Sequence, residues 1–207
     1  MVSTLSPLIH LVDDDEAVRA SLALLISTVG LRVQTWALPQ TFLAEFDRDS
    51  IGVIVLDVRM PGISGLNLLQ MLVEQGVDQP IVMLTGHGTV DMCRRAFKAG
   101  AAEFLEKPVN DELLLEALQN GVRQHVKARE RTQIDRDARA RYGQLSERER
   151  EVLGLIVAGL TNKEMGRALG VSPRTVESHR ANLFAKLETE SLAQLVRSYA
   201  ALVDDKI

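Results

Sequence analysis

Short, largely apolar runs alternate with segments of helical spacing through residues 9–122, and that alternation leaves few folds open. Ile9–Val12, Val33–Trp36, Val53–Leu56, Ile81–Leu84 and Glu103–Leu105 read as strands. Between and after them, Ala17–Ser27, Pro39–Phe46, Leu66–Glu74, Asp91–Lys98 and Asp111–Val122 place apolar residues on one helical face. Alternating strands and helices predict a parallel sheet covered on both sides. Units of this number and length fit the α/β, flavodoxin-like, doubly wound architecture of five strands, whose ligands sit at the carboxyl ends of the strands.

The remaining residues read differently. From Asp111 the helical pattern continues to about Arg141, but its apolar stripe fades after Val126. A mostly charged stretch without Gly or Pro predicts a solvated helical linker over residues 123–142, a candidate to pair with its copy in a dimer. Residues 143–207 then form an all-α domain of four helices, near 146–158, 161–169, 173–187 and 190–202. Ser146 with Glu149 is a capping box, Ser172-Pro173 an N-cap followed by Pro at N1, and Gly159 and Gly170 close helices.

Charge divides along the same lines. Residues 1–122 hold 8 Lys/Arg and 16 Asp/Glu, residues 123–141 hold 7 and 3, and residues 142–207 hold 9 and 9. An acidic first half repels nucleic acid, so any DNA contact must come from the rest. The single cysteine, Cys93, cannot form an internal disulfide and suits a reducing compartment. It reads as a small apolar residue on a helix. No apolar run approaches the ~18 residues needed to span a bilayer, and Met1–Pro7 lacks the basic segment of a secretory signal. A cytoplasmic protein is expected.

The strand ends carry the chemistry. Asp13-Asp14-Asp15 follow the first strand, Asp57 the third, Thr85 the fourth, and Lys107-Pro108 the fifth. Crowded carboxylates repel one another and call for a cation, and all-oxygen ligation suits Mg²⁺ (or Mn²⁺). A metal-neutralised Asp57 can attack a phosphoryl group while Thr85 and Lys107 stabilise its oxygens. A lone Asp at a strand end is an ordinary turn residue or helix cap; this set at successive strand ends is not. Asp15 and Glu16 read as first-turn acids that favour the helix dipole, and His87 as a solvated loop residue.

Val12-Asp13-Asp14-Asp15, Leu56 through Gly62, Thr85-Gly86-His87-Gly88 and Glu106-Lys107-Pro108 together resemble the receiver domain of two-component response regulators, over residues 7–122. The resemblance implies that Asp57 is the phospho-acceptor, that Asp13, Asp14, Asp57 and the Arg59 carbonyl serve the metal, and that Thr85 and Phe104 form a switch. It also implies a cis Lys107–Pro108 bond and a sensor histidine kinase as partner. An aspartyl-phosphate phosphatase of the haloacid dehalogenase kind is the alternative. Such enzymes need a general acid two residues beyond the nucleophile, where this chain has Arg59, so the acyl phosphate is expected to persist as a signal.

Leu145 through Glu149, Gly159 through Glu164 and Val171 through Val176 resemble the LuxR-type helix-turn-helix domain, over residues 143–202. With the receiver, the whole chain resembles the FixJ branch of the NarL/FixJ family. The second helix of the motif, Pro173–Leu187, would read DNA. Arg174, Glu177, Ser178, Ala181 and Asn182 are spaced along one face, while Val176, Leu183 and Leu187 turn inward. Thr175 starts that helix, and Lys163, Arg180 and Lys186 can reach phosphates. Glu177 can accept from a cytosine amino group. A neutral helical dimerisation module is the bland alternative. The resemblance implies that phosphorylation promotes homodimerisation and binding to promoter DNA, with RNA polymerase as a further partner. One departure stands out: Arg94 occupies a helix position that is apolar in FixJ-like dimers.

Overall fold

The structure, a computed structural model, describes residues 6–204. The ends of the two expected domains, residues 1–5 and 205–207, lie outside the described residues. The chain forms two compact units, residues 1–129 and 130–207.

In the first unit, β1 (Leu8–Val12), β2 (Arg32–Trp36), β3 (Gly52–Asp57), β4 (Ile81–Thr85) and β5 (Glu103–Glu106) pair in the order β2-β1-β3-β4-β5, all parallel. The helices α1 (Glu16–Thr28), α2 (Pro39–Glu45), α3 (Gly65–Glu74), α4 (Val90–Lys98) and the start of α5 (Asp111–Gly143) connect or follow the strands. This is the doubly wound sheet expected from the alternation.

Every residue of the central strand β3 is buried, because helices cover both of its faces. Successive side chains of a strand point to opposite faces, and β3 sorts accordingly. Val53 and Val55 join Ile9, Leu11, Leu22, Ile26, Leu114 and Leu118, so α1 and α5 cover that side. Ile54 and Leu56 join Phe42, Leu68, Leu69, Leu72 and Ala96, so α2, α3 and α4 cover the other.

The long helix α5 passes from the first unit into the second. Its residues 123–129 were expected in a solvated linker, yet two of them pack with the first unit. His125 is buried, with Nδ1 3.2 Å from the Gly52 amide nitrogen. Arg129 pairs with Asp78 at 2.8 Å and donates to the Arg48 carbonyl. The compact units therefore divide after Arg129, beyond the expected boundary at residue 122.

The second unit contains the end of α5 with α6 (Glu147–Val157), α7 (Asn162–Leu169), α8 (Pro173–Lys186) and α9 (Leu192–Asp204). Its core joins Val152, Leu153, Ile156, Met165, Val176, Leu183, Leu187, Leu195 and Tyr199 with Ala138 and Leu145. The capping boxes Ser146/Glu149 and Thr161/Glu164 start α6 and α7. Gly170 ends α7 in the left-handed conformation, φ 68°, which glycine adopts without a Cβ penalty. Among the described residues, no helix is long and apolar enough to cross a membrane.

Candidate phosphoacceptor pocket and nucleic-acid interface

Parallel register decides which residues meet at the sheet's carboxyl edge. Val12 pairs with Leu56, and Asp57 with Leu84, so Asp13 emerges beside Asp57 and Thr85 one step beyond. The Lys107 amide bonds the Thr85 carbonyl at 2.7 Å, which brings Lys107 to the same edge. The Lys107–Pro108 bond is cis.

The resulting cluster is tight. Lys107 Nζ lies 2.5 Å from Asp13 Oδ2 and 2.6 Å from Asp57 Oδ1. Asp57 Oδ2 accepts from the Arg59 amide at 2.6 Å. Asp13 and Asp57 are buried, and Lys107 is only partly exposed. Burial raises the Asp57 pKa above the ordinary carboxylate value, and the negative Asp13 adds to the effect; Lys107 and the Arg59 amide oppose it. Burial alone would lower the Lys107 pKa, but the two carboxylates outweigh it and the ammonium is held more firmly protonated than usual.

Thr85 Oγ1 accepts from the His87 amide at 3.2 Å and faces Met92 Sδ at 3.8 Å. The Phe104 ring is partly buried, and a Cβ on Gly88 would lie 3.5 Å from both Phe104 and Thr85. Thr85 and Phe104 thus share one neighbour. Cys93, on α4, is free and partly buried.

Two expectations need adjusting. Asp15 is the N-cap of α1, accepting from the Ala17 and Val18 amides, and only Glu16 is a first-turn acid. His87 is not merely solvated, since its Nδ1 lies 2.8 Å from the Arg59 guanidinium. Asp14 is exposed and enters no hydrogen bond or ion pair among the described residues, whereas Asp13 is drawn into the cluster. Nothing in the sequence separates those two neighbours; the register of β1 against β3 does, by placing Asp13 beside Asp57.

No preformed group of three or more His, Cys, Asp and Glu side chains suited to a metal exists among the described residues. The donors at this edge nonetheless fit a small hard cation. Two carboxylates meet at one ammonium, a third carboxylate stands adjacent and exposed, and the set is all oxygen. Mg²⁺ needs only one or two carboxylates and keeps several waters.

In the second unit, the exposed face of α8 carries Arg174, Thr175, Glu177, Ser178, Ala181 and Asn182, and Lys163 is exposed on α7. Val176, Leu183 and Leu187 are buried, as the helical spacing requires. Ser172 caps α8 through the Thr175 amide, and the Ser178 hydroxyl bonds the Arg174 carbonyl. Two expected phosphate contacts are engaged within the domain. Lys186 pairs with the buried Glu149 at 2.7 Å, which lowers the Glu149 pKa, and Arg180 donates to Asn162 at 2.6 Å. Asn162 was not singled out by its sequence context.

Comparison with known proteins agrees with both halves. Residues 9–119 match the response regulator receiver domain, and residues 143–199 match the luxR family of bacterial regulatory proteins. The transcriptional regulatory protein FixJ of Rhizobium meliloti (strain 1021) is 44% identical over 189 residues, covering 91% of this chain and 93% of that protein. The response regulator protein TodT of Pseudomonas putida is 35% identical over 98% of this chain and 89% of that one. Among solved structures, the response regulator StyR aligns with TM-score 0.83 at 37% identity, over 98% of this chain and all of that one. Full-length FixJ from B. japonicum aligns with TM-score 0.60 at 38% identity, over 99% of this chain and all of that one. These relatives are regulators rather than enzymes. With its receiver sheet and its four-helix domain each matched, the chain belongs to the response regulators of the FixJ type, transcriptional regulators that join a receiver to a luxR-type DNA-binding domain.

Proposed function

We propose that Asp57 is the phospho-acceptor, that a sensor histidine kinase supplies the phosphate, and that the modification promotes dimeric binding to promoter DNA. One observation carries the reading: Asp57 is buried at the end of β3, 2.6 Å from Lys107 Nζ and next to Asp13. A carboxylate in that place has a raised cost of ionisation and a cation ready to receive new oxygens.

Asp57 Oδ attacks phosphorus, a P–O bond forms, and the electron pair of the breaking P–N bond returns to the donor imidazole. Lys107 then pairs with one phosphoryl oxygen in exchange for the carboxylate it now holds. Thr85 turns its hydroxyl from Met92 to donate to another. Asp13, Asp14, Asp57 and the Arg59 carbonyl would hold Mg²⁺ or Mn²⁺. When bound, the cation supplies charge neutralisation between carboxylates and phosphoryl oxygens. Arg59 stands where a phosphatase needs a carboxylic acid and is engaged with His87, so fast hydrolysis finds no general acid.

Movement of Thr85 leaves space beside Gly88 into which Phe104 turns, and that reshapes the face made by α4 and β5. A second copy then binds. Arg94 on that face is exposed and turned to Asp91 at 3.6 Å, so charge pairs there take the place of apolar contact. Arg174, Thr175, Glu177, Ser178 and Asn182 read bases or contact phosphates, with Lys163 and Arg180 supplying charge, while Lys186 stays with Glu149. RNA polymerase is the onward partner, and a DNA target puts the working site in the cytoplasm.

Labelled phosphate from acetyl phosphate with Mg²⁺ tests the acceptor. Asp57→Asn is expected to abolish incorporation, and Asp15→Asn to retain most of it. Label found mainly on Asp13, Asp14 or a histidine overturns the reading, as does unchanged incorporation in excess chelator.

A further inference from the structure

We infer that Asn162 is the positioning residue of the DNA-reading surface: its side-chain amide stands between Glu177 and Arg180 of α8 and keeps the two from neutralising each other. This rests on the reading of α8 as the recognition helix.

Arg180 Nη1 donates to Asn162 Oδ1 at 2.6 Å, and Asn162 Nδ2 donates to Glu177 Oε1 at 3.4 Å. A guanidinium has no acceptor and a carboxylate no donor, so only one orientation of the amide satisfies both neighbours. Asn162 itself is fixed from the other side. It is the first residue of α7, directly after the Thr161 N-cap, whose capping box with Glu164 sets the start of the helix.

Glu177 and Arg180 lie three residues apart on α8, the spacing at which opposite charges attract along a helix surface. No ion pair forms between them among the described residues, and each instead meets one end of the Asn162 amide. A neutral adaptor orients both charges without cancelling either. Glu177 Oε2 accepts no hydrogen bond among the described residues, and the residue is exposed. An acceptor presented to DNA is repelled by phosphate and is compensated only by a base-edge donor, of which the cytosine amino group in the major groove is the matching one. Arg180, half-buried and tied to Asn162, keeps its full charge for a phosphate. Without the amide, the two side chains collapse into a pair and both functions are lost together.

The test uses the full chain, phosphorylated by acetyl phosphate with Mg²⁺ and mixed with a pool of randomised duplexes, from which bound sequences are recovered. The wild type is expected to select a cytosine that Glu177→Ala no longer selects. Asn162→Ala is expected to lose the same preference, with discrimination at that position falling about tenfold. Its plot of log affinity against log salt is expected to become shallower by about one, because Arg180 is drawn onto Glu177. In a Glu177→Ala background, Asn162→Ala is expected to leave that slope unchanged, since no partner for collapse remains. Asn162→Asp keeps the volume and the bond to Arg180 but repels Glu177, and gives the same loss of preference. Should Asn162→Ala and Asn162→Asp keep the cytosine that Glu177→Ala loses, the positioning role is wrong and DNA reading stands. General weakening with an unchanged base preference refutes it equally. A wild type that selects no sequence at all removes the DNA-reading role, and the inference falls with it.

Discussion

Two buried titratable residues of the receiver have opposite consequences for stability. His10 lies inside β1, 1% exposed, with its Nδ1 accepting from Trp36 Nε1 at 3.3 Å and its Nε2 facing the Ser50 hydroxyl at 3.4 Å. The indole can only donate, so Nδ1 carries no proton and the ring is the neutral Nε2–H form. Burial holds its pKa down at about 4, against a partial upward pull from Asp47. A base with a lowered folded pKa binds more protons when unfolded, so its stability contribution is present at neutral pH. That contribution is lost as pH falls from about 6.5 towards about 4. The loss is on the order of 3 kcal/mol at the acid end. Urea titrations at pH 7 and pH 5 are expected to show about 2 kcal/mol of it in the wild type and a smaller drop in His10→Gln; equal drops would discard the explanation. Asp57 runs the other way. Its pKa is raised, mainly by burial, so the folded state is penalised when the carboxyl ionises, and the penalty is present at neutral pH and eases as pH falls. Asp57→Asn removes it and leaves Asp13 with undivided claim on Lys107. A gain of about 1 kcal/mol, raising Tm by about 3 °C, is the expected result in thermal melts without metal. A lower Tm would show that the acceptor carboxylate stabilises the fold instead. The stability conceded at Asp57 is of the kind that functional sites commonly give up.

Elements bring those residues together, and one close approach controls the geometry. A Cβ on Gly65, the first residue of α3, would lie 2.0 Å from the Asp57 carbonyl oxygen. The contact is backbone against backbone, so no side chain can yield. Gly65→Ala is expected to destabilise the receiver by about 3 kcal/mol and to slow phosphate incorporation, because relief requires α3 or the end of β3 to shift. Calorimetry with a parallel labelling assay checks both, and a variant with wild-type stability would contradict the placement. Much at this scale was legible in the sequence. Strands buried on both faces are filled by apolar side chains, so β3 and β4 read as apolar runs, and Asp57 and Thr85, themselves buried, mark where those runs end. The Ser146/Glu149 capping box and the Ser172-Pro173 start are local codes and needed no tertiary information. What stayed hidden depends on contacts far apart in sequence. Arg129 looks like one more linker charge until Asp78 and the Arg48 carbonyl lie against it. Lys186 looks like a phosphate contact until Glu149, 37 residues earlier, is found beneath it. Asn162 reads as a routine residue of a helix start because both of its partners lie on the next helix.

At the scale of the whole molecule, electrostatics and the expected output of the protein pull in opposite directions. The receiver segment through residue 122 carries 8 basic and 16 acidic residues, a balance of -8, and phosphorylation adds negative charge to it. Direct Coulomb effects therefore weaken attraction to DNA, the more so at low salt. The DNA-binding region is poorly placed to compensate, since residues 142–207 hold 9 basic and 9 acidic side chains, and Lys186 is paired with Glu149. One copy has few phosphate contacts to offer, and its affinity at physiological salt is expected to be low. Two copies joined through their receivers gain the second contact set at high effective concentration. Phosphorylation is thus expected to strengthen DNA binding of the full chain, through assembly rather than through charge, and with a steeper dependence on protein concentration. A fragment distinguishes assembly from release of a masked surface. It has to begin at Glu130, because Ala138 and Leu145 belong to the core of the second unit and Tyr142 packs against it. If masking were the mechanism, residues 130–207 would bind a selected duplex as tightly as the phosphorylated full chain does. Under assembly the fragment binds at least about tenfold more weakly, and joining two fragments through an unrelated dimeric module restores affinity. Phosphorylation that loosens the full chain's grip on its duplex would leave the charge argument standing alone and overturn the coupling.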